Sequence, residues 1–365
     1  MQKKKTGRGD YDITCFGRNS GIGGGICMIV ERKGYQTSYG LLRILACIFV
    51  IIHHFDAVVV DASSQKGMAV VDNLTMVNNG LFFMLSGKFA LEYFDGNVTA
   101  YYRKRFVKIV VPYLVINCAI NMMHGYTITE YISRLRHGEV YDWFVYAVIG
   151  FYLAAPFFYY MFYDMKEKYK LLFLLSIVVY IVMNTVNVYF GSVFYTAANP
   201  FFDTLSFFLI GYLIDNIACL KRYKWYFAGA GIAAACISTY ETIYLPGVNA
   251  SLYGLCITRI CMCVAVYVLV CWSNSRIIQD KNIQKIVKRL ANLTYYVYLV
   301  HGLVQEPYAA LHSYIISKNP YIRLAAGSLE IIAVSFVLAY LYERITRMIY
   351  KIAGEKRIWG RLKSN

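Results

Sequence analysis

Charge is what this chain is short of. Aspartate, glutamate, lysine and arginine supply 16% of its 365 residues, where an average soluble domain has about a quarter. Hydrophobic residues supply 58% and aromatics 17%, and mean hydropathy is +0.45. That balance excludes an ordinary soluble domain and points to a polytopic membrane protein. Metal-site spacing is also missing. The ten cysteines are scattered, mostly inside apolar runs (Cys118, Cys219, Cys236, Cys256, Cys261, Cys263, Cys271). Cys261-x-Cys263 points to two faces of a helix and has no second pair, so these read as small buried thiols and no metal is expected. SGIGGG at 20–25 lacks the preceding strand and the following Gly-Lys-Ser/Thr of a phosphate loop. No internal repeat supports an inverted-repeat transporter. A cleavable signal is not expected either, because no small-residue cleavage site follows an apolar run.

What is present in quantity is apolar sequence in lengths that span a bilayer, roughly 20 residues each. Ten such segments are predicted: about 41–60, 74–93, 107–124, 142–163, 171–190, 201–219, 225–245, 253–273, 291–311 and 322–344. The fold class is therefore all-α, a polytopic helix bundle of about ten transmembrane helices. The net charge of +16 would suggest nucleic acid if it formed a patch on a soluble surface. Here the positive residues fall between the apolar segments instead, so no nucleic acid is expected. With the N-terminus inside, only Lys66, Arg134, Arg136, Lys318 and Arg323 lie outside, and Arg43, Lys88 and Arg259 fall in or at the edge of spans. All other lysines and arginines fall inside, which sets both termini in the cytoplasm. Residues 1–37 are predicted to form an unstructured cytoplasmic leader, 38–348 the transmembrane domain and 349–365 a basic cytoplasmic tail.

The first span, LLRILACIFVIIHHFD, carries Arg43, His53 and His54 in an otherwise apolar run. A charged group at a helix centre costs about 2.5–3.5 kcal/mol on insertion scales, so such residues are usually functional. Arg43 and His54 are eleven residues apart, which at 3.6 residues per turn brings them to within about 20° of one face and separates them by roughly 16 Å. His53 points about 80° away. A histidine so placed can be a general base near neutral pH, and an arginine at the mouth can hold an anion. The structural alternative is a histidine hydrogen-bonded between helices.

Arg, ten residues, then His in RILACIFVIIHHF resembles the signature of the membrane acyltransferase-3 family, integral-membrane O-acyltransferases many of which modify surface polysaccharides. GLFFMLSGKFAL (80–91), YYRKRFVKIVVPYLV (101–115), DWFVYAVIGFYLAAPFF (142–158), SFFLIGYLI (206–214) and LTYYVYLVHGLV (293–304) resemble later motifs of that family in the same order. The resemblance covers about 38–345. It implies that His54 is the catalytic base on the acceptor hydroxyl and Arg43 its partner. It also implies that the second cytoplasmic loop engages acyl-CoA. Where the family has Arg-x-x-Arg, this chain has Arg105-x-x-Lys108, with Arg103 and Lys104 nearby. Lysine keeps the charge but loses the bidentate fork. The acidic residue frequent before LFF in the family is Gly80 here.

The resemblance implies transfer of an acetyl (acyl) group from cytoplasmic acetyl-CoA, a co-substrate with no bound cofactor, to a hydroxyl of a surface or lipid-linked glycan at the inner membrane. The partners are then the acyl-CoA donor, the glycan acceptor and membrane lipid. Arg43, Ser86 and Tyr146 are candidates to stabilise the oxyanion. Trp143 and Tyr146 are candidates for the acceptor tunnel or for an interfacial aromatic belt. His301 matches the pattern at the ninth span, with packing as its alternative role. Asp72 and Glu330 are candidates to orient His54, and Glu241 with Arg259 is a candidate structural pair. Lys88 is unexplained. The rival readings are a transporter or flippase of an envelope precursor, and a non-catalytic assembly scaffold.

Overall fold

The computed structural model describes residues 11–15, 27–31, 36–59, 65–137, 143–191, 193–194, 203–245, 256–273, 279–312 and 319–352. In the leader, Tyr11–Cys15 pairs antiparallel with Cys27–Glu31. Every other described element is helical. We number the α-helices α1 (Thr37–Val59), α2 (Gln65–Thr75), α3 (Asn78–Glu92), α4 (Val98–Arg105), α5 (Val111–Met123), α6 (Ile128–His137), α7 (Trp143–Tyr163) and α8 (Glu167–Phe190). Then come α9 (Asp203–Asn216), α10 (Lys224–Tyr244), α11 (Ile257–Cys271), α12 (Lys281–His312) and α13 (Pro320–Ile352).

A helix occupies each of the ten segments predicted from hydropathy. Only five described stretches are both long and apolar enough to cross a bilayer unaided: Thr37–Phe55, Val98–Met123, Trp143–Tyr163, Glu167–Phe190 and Pro320–Met348. Thr204–Asn216 with Ala218–Tyr244 would make a sixth only as one span bent by 95°. The difference from ten has visible causes. The second segment is broken at Met76–Val77, leaving α3 with 15 residues. α9 and α11 are 14 and 15 residues long. α12 opens on the polar run KNIQKIVKR and becomes apolar only in its second half.

Short helices of this kind are held by close packing. Side chains added at Gly87 and Gly211 would strike the main chain of Phe208 and Met84 respectively, so α3 and α9 approach almost backbone to backbone. Close approach is the use of glycine in membrane helix pairs. Gly80 lies against the Cys263 thiol and the Phe207 ring, so this packing has no room for an acid at that position.

α1 runs through the middle of the bundle, packed chiefly on α12 and also on α2, α3, α11 and α13. The Gln305 amide on α12 donates to the Ile51 carbonyl at 2.8 Å and the Cys47 thiol contacts the Thr294 carbonyl at 3.7 Å, pinning α12 to α1. From Thr37 to Phe55 its side chains are buried or half-buried with one exception. The exception is His54.

Between α4 and α5 the chain makes one π-helical turn, Phe106–Val110, in which the Val111 N–H reaches back to the Phe106 carbonyl. Pro112 follows and has no N–H to continue the ladder, so a carbonyl one turn back must find another donor. Three tyrosine hydroxyls supply this stretch: Tyr350 donates to the Val107 carbonyl at 2.7 Å, Tyr295 to Ile109 at 2.8 Å and Tyr342 to Pro112 at 2.6 Å. They come from α12 and α13. Single π turns occur often at functional sites, and this one carries Lys108 and begins directly after Arg105.

Candidate functional site

Polar side chains gather near each end of α1. At the far end the imidazole of His54 lies between two others. Its ring centroid is 5.6 Å from that of His53 and 5.4 Å from that of His301 on α12. His301 is buried, and its Nδ1 lies 2.5 Å from the Tyr298 carbonyl. A carbonyl only accepts, so Nδ1 carries a proton. A ring so anchored beside a second imidazole can in turn orient that imidazole. His301 is thus brought beside His54.

Asp72 on α2 does not orient His54. Its Oδ1 sits 3.8 Å from Nδ1 of His53, and the two histidines are successive residues on different faces of α1. Glu330 is exposed on α13. Four groups therefore follow one another in space, Asp72, His53, His54 and His301, contributed by α2, α1 and α12. Among the described residues no three histidine, cysteine, aspartate or glutamate side chains converge so as to hold a metal ion.

The aromatic candidates connect to the same place. Trp143 packs on Phe83 (6.1 Å between centroids), Phe83 on Phe144 (4.7 Å) and Phe144 on Tyr298 (5.0 Å). Tyr298 lies 5.5 Å from His301. Trp143 itself is 55% exposed, so a continuous aromatic wall leads from the surface to the histidines. Tyr146 stands one turn along α7 from Trp143 and meets Tyr113 edge to face. Ser86 is half-buried on α3, and no described contact ties it to His54.

At the near end, the Arg43 guanidinium lies over the Phe89 ring, 5.2 Å from its centroid. Lys108 is within electrostatic reach of Arg43, Lys104 and Arg105. The positive charges that the sequence placed in one loop and in the first span are therefore one cluster. Arg105 is sandwiched between Tyr152 (4.4 Å) and Tyr101 (5.1 Å), and its Nε is buried with no hydrogen-bond partner among the described residues. Beside it a pocket of about 160 Å³ opens between the π turn and α7, walled by Tyr102, Ile109, Ile149 and Tyr152.

Next to this cluster lies a network that the sequence did not single out. Asp215 on α9 accepts from the Tyr39 hydroxyl (2.5 Å), the Tyr267 hydroxyl (2.8 Å) and the Trp272 indole (2.8 Å). Lys88 completes it, 3.1 Å from Asp215 and 2.5 Å from Glu92. Lys88 is thereby explained as one half of a buried pair. The available signal was Asp215 itself, an acid inside the apolar run LSFFLIGYLIDN, which had to be partnered somewhere. Glu241 accepts from the Tyr189 hydroxyl.

Fold and site together define a class: a membrane-embedded helical bundle whose central helix carries an arginine toward one end and an accessible histidine toward the other. A family model described as an acyltransferase domain, the third acyltransferase family, matches residues 37–340. The chain belongs to this family and is a membrane acyltransferase. No curated protein and no solved structure matches it.

Proposed function

We propose that this acyltransferase moves an acetyl group from cytoplasmic acetyl-CoA to a hydroxyl of a surface or lipid-linked glycan, with His54 as general base. One observation carries the reading. His54 is the one exposed side chain on a stretch of helix that five other helices surround. That exposure supports the reading, because a base must be reachable by the acceptor hydroxyl whose proton it takes.

The donor's polyanionic end suits the other cluster. Arg103, Arg105 and Lys108 offer charge-assisted hydrogen bonds to its phosphates, and Arg43 extends the positive field to the start of α1. Eleven residues of helix separate Arg43 from His54 by about 16 Å. That distance suits an extended pantetheine arm with its thioester at the histidine and its phosphates near the arginines. In this reading Arg43 acts chiefly on the donor, set apart from the acyl end by that rise along the helix. Ser86 and Tyr146 remain as oxyanion donors, and Trp143 belongs to the acceptor's path, where a sugar ring can lie against aromatic faces. His54 takes the acceptor proton as oxygen attacks the thioester carbon, and gives it to the departing sulfur.

In this reading the N- and C-termini face the cytoplasm at the inner membrane. A transporter or flippase, the rival, gives no account of an acyltransferase domain over residues 37–340. The test is acetyl transfer from radiolabelled acetyl-CoA to membrane glycans. His54→Ala should lower it by at least the roughly 10²–10⁴-fold that a general base contributes, with the protein inserted and purified in normal yield. Transfer at the parent rate in that variant overturns the assignment.

A further inference from the structure

We propose that Asp72 and His53 are positioning residues that hold the proton-accepting state of His54. This rests on the reading of His54 as base. Three observations on the page lead to it. Asp72 reaches His53 across a helix boundary, 3.8 Å from Nδ1. His53 Nδ1 is a buried polar atom with no hydrogen-bond partner among the described residues, so its lone pair or proton is committed to nothing else. The His53 ring then lies 5.6 Å from His54, tilted by 55°. Adjacent imidazoles with an acid behind them form a chain that can carry one positive charge away from the reacting centre.

The need for such a chain follows from the reaction. The acceptor oxygen forms a bond to the acyl carbon, and the carbon–sulfur bond breaks with its electron pair leaving on sulfur. The acceptor proton passes to His54 and ends on the coenzyme thiolate, so the sum is hydroxyl plus thioester to ester plus thiol. Between those two transfers His54 is an imidazolium in an apolar bundle, which is costly unless an opposite charge is near. On the other side the His301 Nδ1 proton is given to the Tyr298 carbonyl, so His301 brings no carboxylate or other negative charge to His54. Arg259, on α11, is the charged group that faces His53 from that helix, and a positive charge there makes the Asp72 carboxylate the more necessary. Asp72 is also the outermost member, with its side chain 37% exposed against 21% for His53. The charge is therefore shared toward water.

A tie between α2 and α1 with no role in proton transfer would give the same contacts, so the test separates the two. Acetyl transfer by the full-length enzyme in membranes is measured for Asp72→Asn, Asp72→Glu, His53→Ala and His54→Ala. Asp72→Asn keeps the shape and removes the charge. It should lower kcat by about tenfold or more, below what the transferring group itself contributes, and leave KM for acetyl-CoA unchanged. Asp72→Glu should restore most of the rate. Free imidazole should raise the rate of His53→Ala in proportion to its concentration, since small bases can enter beside the exposed carboxylate. Parent kcat in Asp72→Asn, or a loss in His53→Ala that imidazole does not relieve while yield and melting temperature are normal, overturns the proposal. Activity in His54→Ala would instead overturn the base assignment. An inactive His54→Ala beside a fully active Asp72→Asn removes the positioning role alone.

Discussion

The two ends of α1 satisfy their polar groups differently. Around Asp215 the groups are matched: one carboxylate meets two tyrosines, an indole and a lysine, and that lysine meets a second carboxylate. Lys88, Tyr39 and Tyr267 are buried, and Glu92 and Trp272 are half-buried. Around His54 the exposed ring is the exception on its helix, the nearest acid pairs with its neighbour instead, and His53 Nδ1 is buried with no hydrogen bond. Satisfied networks rigidify a core, whereas groups left short of partners mark places where something else must bind or react. On the proposed function, the Asp215 network is scaffold and the His54 cluster is chemistry.

The comparison breaks first, and by most, at Asp215. Removing one partner of a buried ion pair costs about 3–5 kcal/mol because the remaining charge is stranded. Asp215→Ala should sit toward the lower figure, since Lys88 keeps Glu92. The melting temperature of the solubilised protein should fall accordingly. Neutralising the network while keeping its shape, with Lys88→Met, Asp215→Asn and Glu92→Gln, should recover part of the loss. An unchanged melting temperature in Asp215→Ala would mean that the Asp215 network is not scaffold.

His54→Ala tests the opposite end in the opposite sense. An exposed side chain contributes little to folding, within about 0.5 kcal/mol as surface substitutions usually do. Its melting temperature should stay near the parent value while transfer is lost. A variant that loses activity and stability together would make His54 a packing residue. The alternative of a histidine hydrogen-bonded between helices would then fit better.

How much of this could be read beforehand follows from what hydropathy and spacing encode. The helices were legible because a span-length apolar run has few other conformations in a bilayer. Arg43 and His54 were legible because eleven residues fix both their common face and their separation. What could not be read is which helices neighbour one another. Asp72 was a candidate partner for His54, yet the packing of α2 on α1 gives it to His53. Lys88 had no explanation until α3 met α9 through Gly87 and Gly211, which places Asp215 beside it. The span count of ten is not confirmed for a related reason: hydropathy averages across Met76–Val77, where the helix is broken. Nor could the sequence show that several tyrosines hydrogen-bond main-chain carbonyls inside the bundle.

The smallest effect, and the one that links scaffold to donor site, is expected at Tyr350. Its hydroxyl supplies the hydrogen bond that the Val107 carbonyl lacks because Pro112 has no N–H. Tyr350→Phe leaves that carbonyl unsatisfied at a net cost of about 1 kcal/mol. It also loosens the turn that sets Arg105 against Lys108, so KM for acetyl-CoA should rise a few-fold with kcat little changed. Pro112→Ala restores an N–H that can reach the same carbonyl. In that background the tyrosine hydroxyl should matter less, and the two substitutions should couple by at least about 0.5 kcal/mol, as residues sharing a partner do. Additive effects on stability and on KM would show that Tyr350 supports α13 alone. The π turn would then owe its geometry to Pro112 without help from the bundle's far helix.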